Sequence, residues 1–180
     1  MSALLDPVLV LLASAFFCLL WGMAATHKAL DRALFAQQLG DYRVLPPALL
    51  PLAVVLLPLL EAGTALGWLN ATSRPLAALA SAALFSLYGA AIGHNLRAGR
   101  DSIDCGCGGE AGQSIRWALV ARNAVLALVA LPFALGLHAN GRAMGWIDWV
   151  SVDAGALALI GLYLIGNQIW ANFPPQRALR

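Results

Sequence analysis

Five long stretches without charge decide what this chain can fold into. Residues 7–27 hold no Asp, Glu, Lys or Arg, and Val44 to Ser73 holds only Glu61. Pro75 to Leu96, Asn123 to Gly141 and Ala154 to Gln176 hold none. A helix needs about 20 mostly apolar residues to cross a bilayer core. Each stretch is long enough, the fourth by continuing upstream to Trp117 around Arg122. A barrel strand would be about 10 residues long and alternate in polarity, which these do not. The pattern predicts an all-α integral membrane protein, a four-helix core bundle plus a fifth transmembrane helix. The spans fall near 7–27, 47–69, 75–95, 115–137 and 152–172, with a polar loop over 96–114. The chain is 61% apolar and 11% charged, against about a quarter charged in a soluble domain, so it cannot cover a soluble surface. Its net charge of +2 offers no footprint for nucleic acid. The first stretch lacks a basic n-region and exceeds the length of a signal h-region, so it is expected to be retained.

Span two carries Pro46, Pro47 and Pro51 at its start, where a missing N–H costs little, and Pro58 inside, where it removes a backbone bond. A kink there is either plain packing geometry or the opening of a cavity beside Glu61. Gly63-x-x-x-Gly67 in span two and Gly89-x-x-x-Gly93 in span three, the latter extended by Ala82 and Ser86, allow close backbone approach. Spans two and three are therefore expected to meet at these faces, with span five at the periphery. The first loop begins after His27. Leu30, Ala33 and Leu34 share a helical face there, so a short interfacial helix is an option. The fourth loop, from His138 to Asp153, carries Trp146 and Trp149 as interfacial anchors.

The most polar loop contains Asp104-Cys105-Gly106-Cys107-Gly108-Gly109. Two residues span at most about 7 Å, and a disulfide needs Cα atoms roughly 4.4–6.8 Å apart, so Cys105 and Cys107 can pair in a small, strained ring. Strained or exposed disulfides are the labile ones. This points to a redox-active pair, with Arg116 or Arg122 favouring the thiolate. Three other readings stand beside it. The cysteines could be incidental. They could bind zinc with Asp104 and His94, although the spacing is not Cys-x-x-Cys and a second pair is missing, so no metal is assigned. A static bridge is the third, but one so short constrains little chain entropy. Cys18, inside span one beside Phe16 and Phe17, reads by default as a packing residue.

Polar groups within the spans are the other candidates. Glu61 lies about eight residues, or ~12 Å, from the end of its span, where a carboxyl is expensive and faces the bundle interior. Arg122, with Asn123, lies about two turns into span four. It either snorkels to the interface or pairs with an acid such as Glu61 or Asp104. His94 ends span three before the cysteine loop, where it could tune a thiol or simply be solvated. Asn167 and Gln168 in span five are expected to make interhelical hydrogen bonds.

His27-Lys28, the run Pro58-Leu59-Leu60-Glu61 and a polar loop before span four resemble a DoxX-like bundle. Cys105-Gly106-Cys107-Gly108 followed by Trp117 and Arg122-Asn123 resembles the MauE family of methylamine utilisation proteins. That resemblance implies a role in maturing methylamine dehydrogenase, whose small subunit carries many disulfides, alongside a periplasmic thioredoxin-like partner of the MauD type. It also implies residence in the bacterial inner membrane with the cysteine loop facing the periplasm. The architecture resembles the vitamin K epoxide reductase and DsbB class too, which implies a quinone. This chain has no Cys-x-x-Cys and no second loop pair, so quinone stays an option and no cofactor is assigned.

Charge distribution opposes that orientation. Lys28, Arg32, Arg43, Arg97, Arg100, Arg116, Arg177 and Arg180 fall on the side of loops one and three, against Arg74 and Arg142 on the other. The positive-inside rule alone would put the cysteine loop in the cytoplasm. A cytoplasmic pair would stay reduced, so the chemistry favours the periplasm. Three functions compete: a thiol–disulfide oxidoreductase, a non-catalytic chaperone or docking platform, and a small-molecule transporter using Glu61.

Overall fold

A computed structural model describes residues 4–103 and 114–172, with side chains to residue 169. Its helices are α1 (Pro7–Leu30), α2 (Arg32–Asp41), α3 (Leu50–Trp68), α4 (Arg74–Arg97), α5 (Trp117–Ala134) and α6 (Trp146–Asn172). A 3-10 turn over Pro47–Leu49 leads into α3. All but α2 are long and apolar enough to cross a membrane. In hydrocarbon every backbone N–H and C=O must be satisfied within the segment, so uncharged apolar runs of this length become helices.

Local signals set the boundaries. Asp6 caps α1 by accepting from the Val8 N–H at 2.9 Å. Asp31 ends α1 through its backbone N–H and starts α2 by accepting from the Leu34 N–H at 2.9 Å. The fourth span stops at Ala134 rather than near residue 137. Gly136, at φ +96°, supplies the left-handed turn. The Leu137 and Gly136 N–H groups then bond back to the Pro132 and Phe133 carbonyls, which closes the helix as a Schellman motif. The fifth span starts at Trp146 rather than near residue 152, so Trp146 and Trp149 are not loop residues. They project, well exposed, from the first turns of α6. The short helix of the first loop exists, but its buried side centres on Phe35, while Leu30 and Ala33 are exposed.

The core is aromatic. Phe17 of α1 stacks on Trp68 of α3 at 4.7 Å between centroids, and Trp21 lies 4.5 Å from Phe85 of α4. Phe133 of α5 meets Trp68 edge-on at 5.5 Å. Both buried indoles, Trp21 and Trp68, donate their N–H to the hydroxyl of Ser81, at 2.8 and 2.9 Å. One serine thereby ties α1, α3 and α4 together. Helix α6 lies against α1, burying Val152, Ala156 and Ile160 and leaving Leu157, Leu162 and Ile165 exposed.

The glycine faces are used differently from the expectation. A Cβ on Gly89 would lie 3.4 Å from the Asn123 Cβ, and one on Gly93 would lie 3.9 Å from Val120, so this face receives α5 rather than span two. Ser86 is exposed and takes no part in it. Gly63 meets nothing within 4 Å, while a Cβ on Gly67 would stand 2.9 Å from the Ala77 Cβ. Of the two glycines of span two, Gly67 and not Gly63 lies against span three. Overpacking there should cost about 1–3 kcal/mol, offset by roughly 1 kcal/mol of helix propensity gained over glycine. Gly67→Ala should therefore lower the unfolding temperature in detergent, and Gly63→Ala should not. Equal behaviour of the two variants would show that the contact relaxes freely.

The end of the bundle near the N-terminus is held by a clasp. Strand β1 (Leu4–Leu5) runs parallel to β2 (His138–Ala139). Arg142 reaches Asp6 through two hydrogen bonds of 3.0 Å and Asp148 through bonds of 2.9 and 3.1 Å. The Arg142 guanidinium, and next the Val8 N–H, hold the Asp6 carboxyl below its ordinary 3.8. A depressed folded-state value means that the clasp contributes above the ordinary carboxylate range and is lost as pH falls through the lowered value. Both partners are about two-fifths exposed, at 41% and 42%, so the contribution is small and screened by salt. The unfolding-temperature gap between the wild type and Arg142→Gln should begin to narrow as pH drops below about 4. A gap that is no narrower at pH 2 than at pH 7 would contradict this account.

Candidate functional site

The spans carry one fully buried carboxylate among the described residues, and it has a partner that the sequence did not announce. Glu61 Oε1 accepts from Lys28 Nζ at 2.6 Å and from the Tyr88 hydroxyl at 2.7 Å. Glu61 is 0% exposed and the Lys28 side chain 8%. The ammonium also lies 5.5 Å from the ring centroids of Phe35 and Tyr88, so aromatic faces replace part of its lost hydration. Lys28 belongs to the last turn of α1, which runs past His27, the point where the span was expected to end. Glu61 sits in α3 one turn beyond Pro58. Pro58 does not break α3, and it lines a small pocket of about 260 Å³ with Val54.

The ion pair forms part of the wall of a cavity of about 780 Å³. Helices α1, α2, α3, α4, α5 and α6 all contribute to its lining, at the end of the bundle where the first and third loops lie. Arg122 enters from α5. Its Nη1 donates to Asn167 Oδ1 of α6 at 2.8 Å, and its guanidinium lies 5.5 Å from the Tyr163 ring centroid. Arg122 therefore does not pair with Glu61, whose partner is Lys28. Asn123 is buried and donates to the Leu119 carbonyl at 2.8 Å. Asn167 makes the expected interhelical bond, whereas Gln168 is exposed. Cys18 is half-buried in the same lining. His94 is exposed on α4 and away from the cavity. The buried residue at that point is its neighbour Asn95, which donates to the Ala91 carbonyl at 3.0 Å.

Cys105 and Cys107, with Asp104, lie outside the described residues. The stem of their loop is described. The Ile115 N–H bonds to the Ile103 carbonyl at 2.9 Å, which draws the two ends of the loop together. Beneath this closure Tyr42, Ile92, Ile115 and Leu119 form a buried apolar cluster. Tyr42 and Ile92 also line the cavity, so the loop base and the cavity share a wall. Arg116 directly follows the stem and precedes the first residue of α5.

Residues 6–137, which span α1 to α5 and the cysteine loop, match the family described as Methylamine utilisation protein MauE. The chain belongs to the MauE family. The MauE protein of Paracoccus denitrificans is 35% identical over 162 residues, covering 89% of this chain and 87% of its own length. That of Methylorubrum extorquens is 38% identical over 164 residues, covering 91% and 88%. That of Methylophilus methylotrophus is 40% identical over 102 residues, covering 57% and 54%. No solved structure matches the chain significantly. MauE proteins take part in methylamine utilisation, and this one is a multi-pass membrane protein. The family match ends before α6, although Tyr163 and Asn167 of α6 complete the cavity.

Lys28, Tyr88 and Ser81 were not legible as partners in the sequence. Lys28 looks like an ordinary basic residue at a span end, and Tyr88 and Ser81 like ordinary span residues. A usable signal existed for Lys28, since a membrane carboxylate demands a cation at similar depth.

Proposed function

We propose that this MauE protein is a membrane thiol–disulfide redox protein. It assists disulfide formation in, or maturation of, a client exported across the bacterial inner membrane, with a periplasmic thioredoxin-like partner of the MauD type. By family, the client is the small subunit of methylamine dehydrogenase. The observation that carries this reading is the closed stem. A Cys-Gly-Cys segment is mounted on a loop drawn together at Ile103 and Ile115, over a buried apolar base, at one end of the bundle. Cys105 and Cys107 fall in the chain between Ile103 and Ile115, so this reading assigns the exchange to that end of the bundle. Arg116, next to the stem, is positioned in the chain to favour the attacking thiolate.

The exchange balances as follows. A thiolate of a partner dithiol attacks the Cys105–Cys107 disulfide and forms a mixed disulfide. The partner's second thiolate then attacks it, releasing Cys105 and Cys107 as the dithiol. The partner is oxidised by two electrons, and the pair is reduced by the same two and takes up two protons. Run in reverse, the pair oxidises while its partner is reduced. The exchange itself needs no further carrier, since the electrons pass between the two dithiol–disulfide pairs.

The test is trapping. Of the two single variants, Cys105→Ser, which keeps Cys107 as the favoured attacking thiol, should yield a reductant-sensitive species linked to a thioredoxin-like protein, and Cys107→Ser should yield less of it. The double variant should lose client maturation. If neither single variant traps a partner and the double variant still supports maturation, the docking-platform reading replaces this one. The transporter reading is weakened by Glu61, whose Oε1 already accepts from Lys28 and Tyr88. Labelling of Cys105 in intact cells with an impermeant thiol reagent tests the periplasmic placement.

A further inference from the structure

We propose that the 780 Å³ cavity binds an uncharged membrane lipid whose head is a free hydroxyl, with its acyl chain in the apolar part and the hydroxyl at the Lys28–Glu61 pair. The lining runs along α1. Lys28 is in the last turn of that helix and Cys18 lies ten residues earlier, so the cavity extends about 15 Å toward the middle of the bilayer. Leu19, Met23 and Leu164 line it and are also exposed on the outside of the bundle, so a chain enters sideways from hydrocarbon. The volume falls within the roughly 300–1,000 Å³ of small-ligand sites.

The second oxygen of Glu61 selects the head. Glu61 lines the cavity and is fully buried, and its Oε1 takes both of its hydrogen bonds, from Lys28 and Tyr88. Its Oε2 is buried without a hydrogen-bond partner among the described residues. A buried acceptor in that condition carries its full desolvation cost, which a donor on a ligand removes. Lys28 Nζ, on the same wall, has three N–H donors and commits one to Glu61. The head must therefore donate to a carboxylate and accept from an ammonium at one place, and a hydroxyl does both with a single oxygen. A carboxylate or phosphate head would set a second anion beside Glu61, and an amine a second cation beside Lys28. Lys28 and Glu61 balance each other, and an uncharged head leaves that balance intact whatever charges the neighbouring loop carries.

The test is native mass spectrometry of the full chain in detergent with three lipids of identical acyl chains: dioleoylglycerol, its methyl ether, which lacks the donor, and phosphatidylcholine. One bound dioleoylglycerol should be retained in preference to the ether by about 10-fold, the worth of one hydrogen bond to a charged group. The Lys28→Met, Glu61→Leu double variant, which removes the polar partners together and keeps the apolar part, should bring alcohol and ether to near parity. Leu164→Trp, which crowds the rim, should lower retention of both. Equal retention of alcohol and ether by the wild type overturns the proposal and leaves Oε2 to a water molecule. Preferential retention of phosphatidylcholine overturns it too, as does an undiminished preference for the alcohol in the double variant or unchanged retention in Leu164→Trp.

Discussion

Glu61→Leu should destabilise the folded protein by about 3–5 kcal/mol, the usual cost of stranding one partner of a buried ion pair. The variant leaves the Lys28 ammonium in a site where its side chain is only 8% exposed, with aromatic faces but no counter-ion. It also deprives the Tyr88 hydroxyl of the carboxylate that it reaches at 2.7 Å. Lys28→Met should be similarly costly, because it strands a carboxylate that is fully buried. The two losses should not add. A Lys28→Met, Glu61→Leu double variant removes both charges and fills the space with apolar atoms, which is often neutral relative to an ion pair. Unfolding of all four proteins in one detergent gives the coupling directly. A double variant as unstable as the sum of the singles would mean that the 2.6 Å contact does not govern stability.

Ser81→Ala should be the next largest loss, about 2–4 kcal/mol, although it removes a single oxygen. That oxygen accepts both the Trp21 and the Trp68 N–H, and Ser81 and Trp68 are 0% exposed, so no water replaces it. An orphaned buried donor costs about 1–3 kcal/mol. Interhelical hydrogen bonds in membranes average nearer 0.6 kcal/mol, because the unfolded chain also finds partners. Two donors are stranded, so these limits double to about 1 and 6 kcal/mol, and the expectation lies between them. Trp68→His would confound packing with bonding. Ser81→Thr is the cleaner control, since it keeps the oxygen and adds one methyl. A Ser81→Ala protein that unfolds with the wild type would show that the indoles find other acceptors. The same variant also reads on assembly, because Ser81 joins α4 to α1 and α3 at once.

The five spans were legible because each is a long run without charge, and hydrocarbon admits little else. The loop carrying Cys105 and Cys107 was legible for the complementary reason: it gathers the polar and glycine residues that the spans exclude. Glu61 stood out because a carboxylate in a span is rare and costly. Its partner did not, since Lys28 sits at a span end where a lysine is ordinary. Only the extra turn of α1 beyond His27 carries it inward to Glu61. Arg122 was legible as unusual but not as a cavity residue, because Asn167 lies 45 residues away on another helix.

What the chain determined alone, then, is how many times it crosses, where the polar loops fall and which ionisable groups need an explanation. What only the tertiary structure decided is which face of each helix meets which neighbour. In water a helix advertises its buried face by apolar periodicity. In a bilayer the lipid-facing side is as apolar as the core, and that signal vanishes. So the Gly89 and Gly93 face could be seen in the sequence, but not that α5 rather than α3 fills it. Ser81 could be counted, but not that two indoles converge on its hydroxyl, because specific packing and a few interhelical hydrogen bonds orient these helices where hydrophobicity cannot.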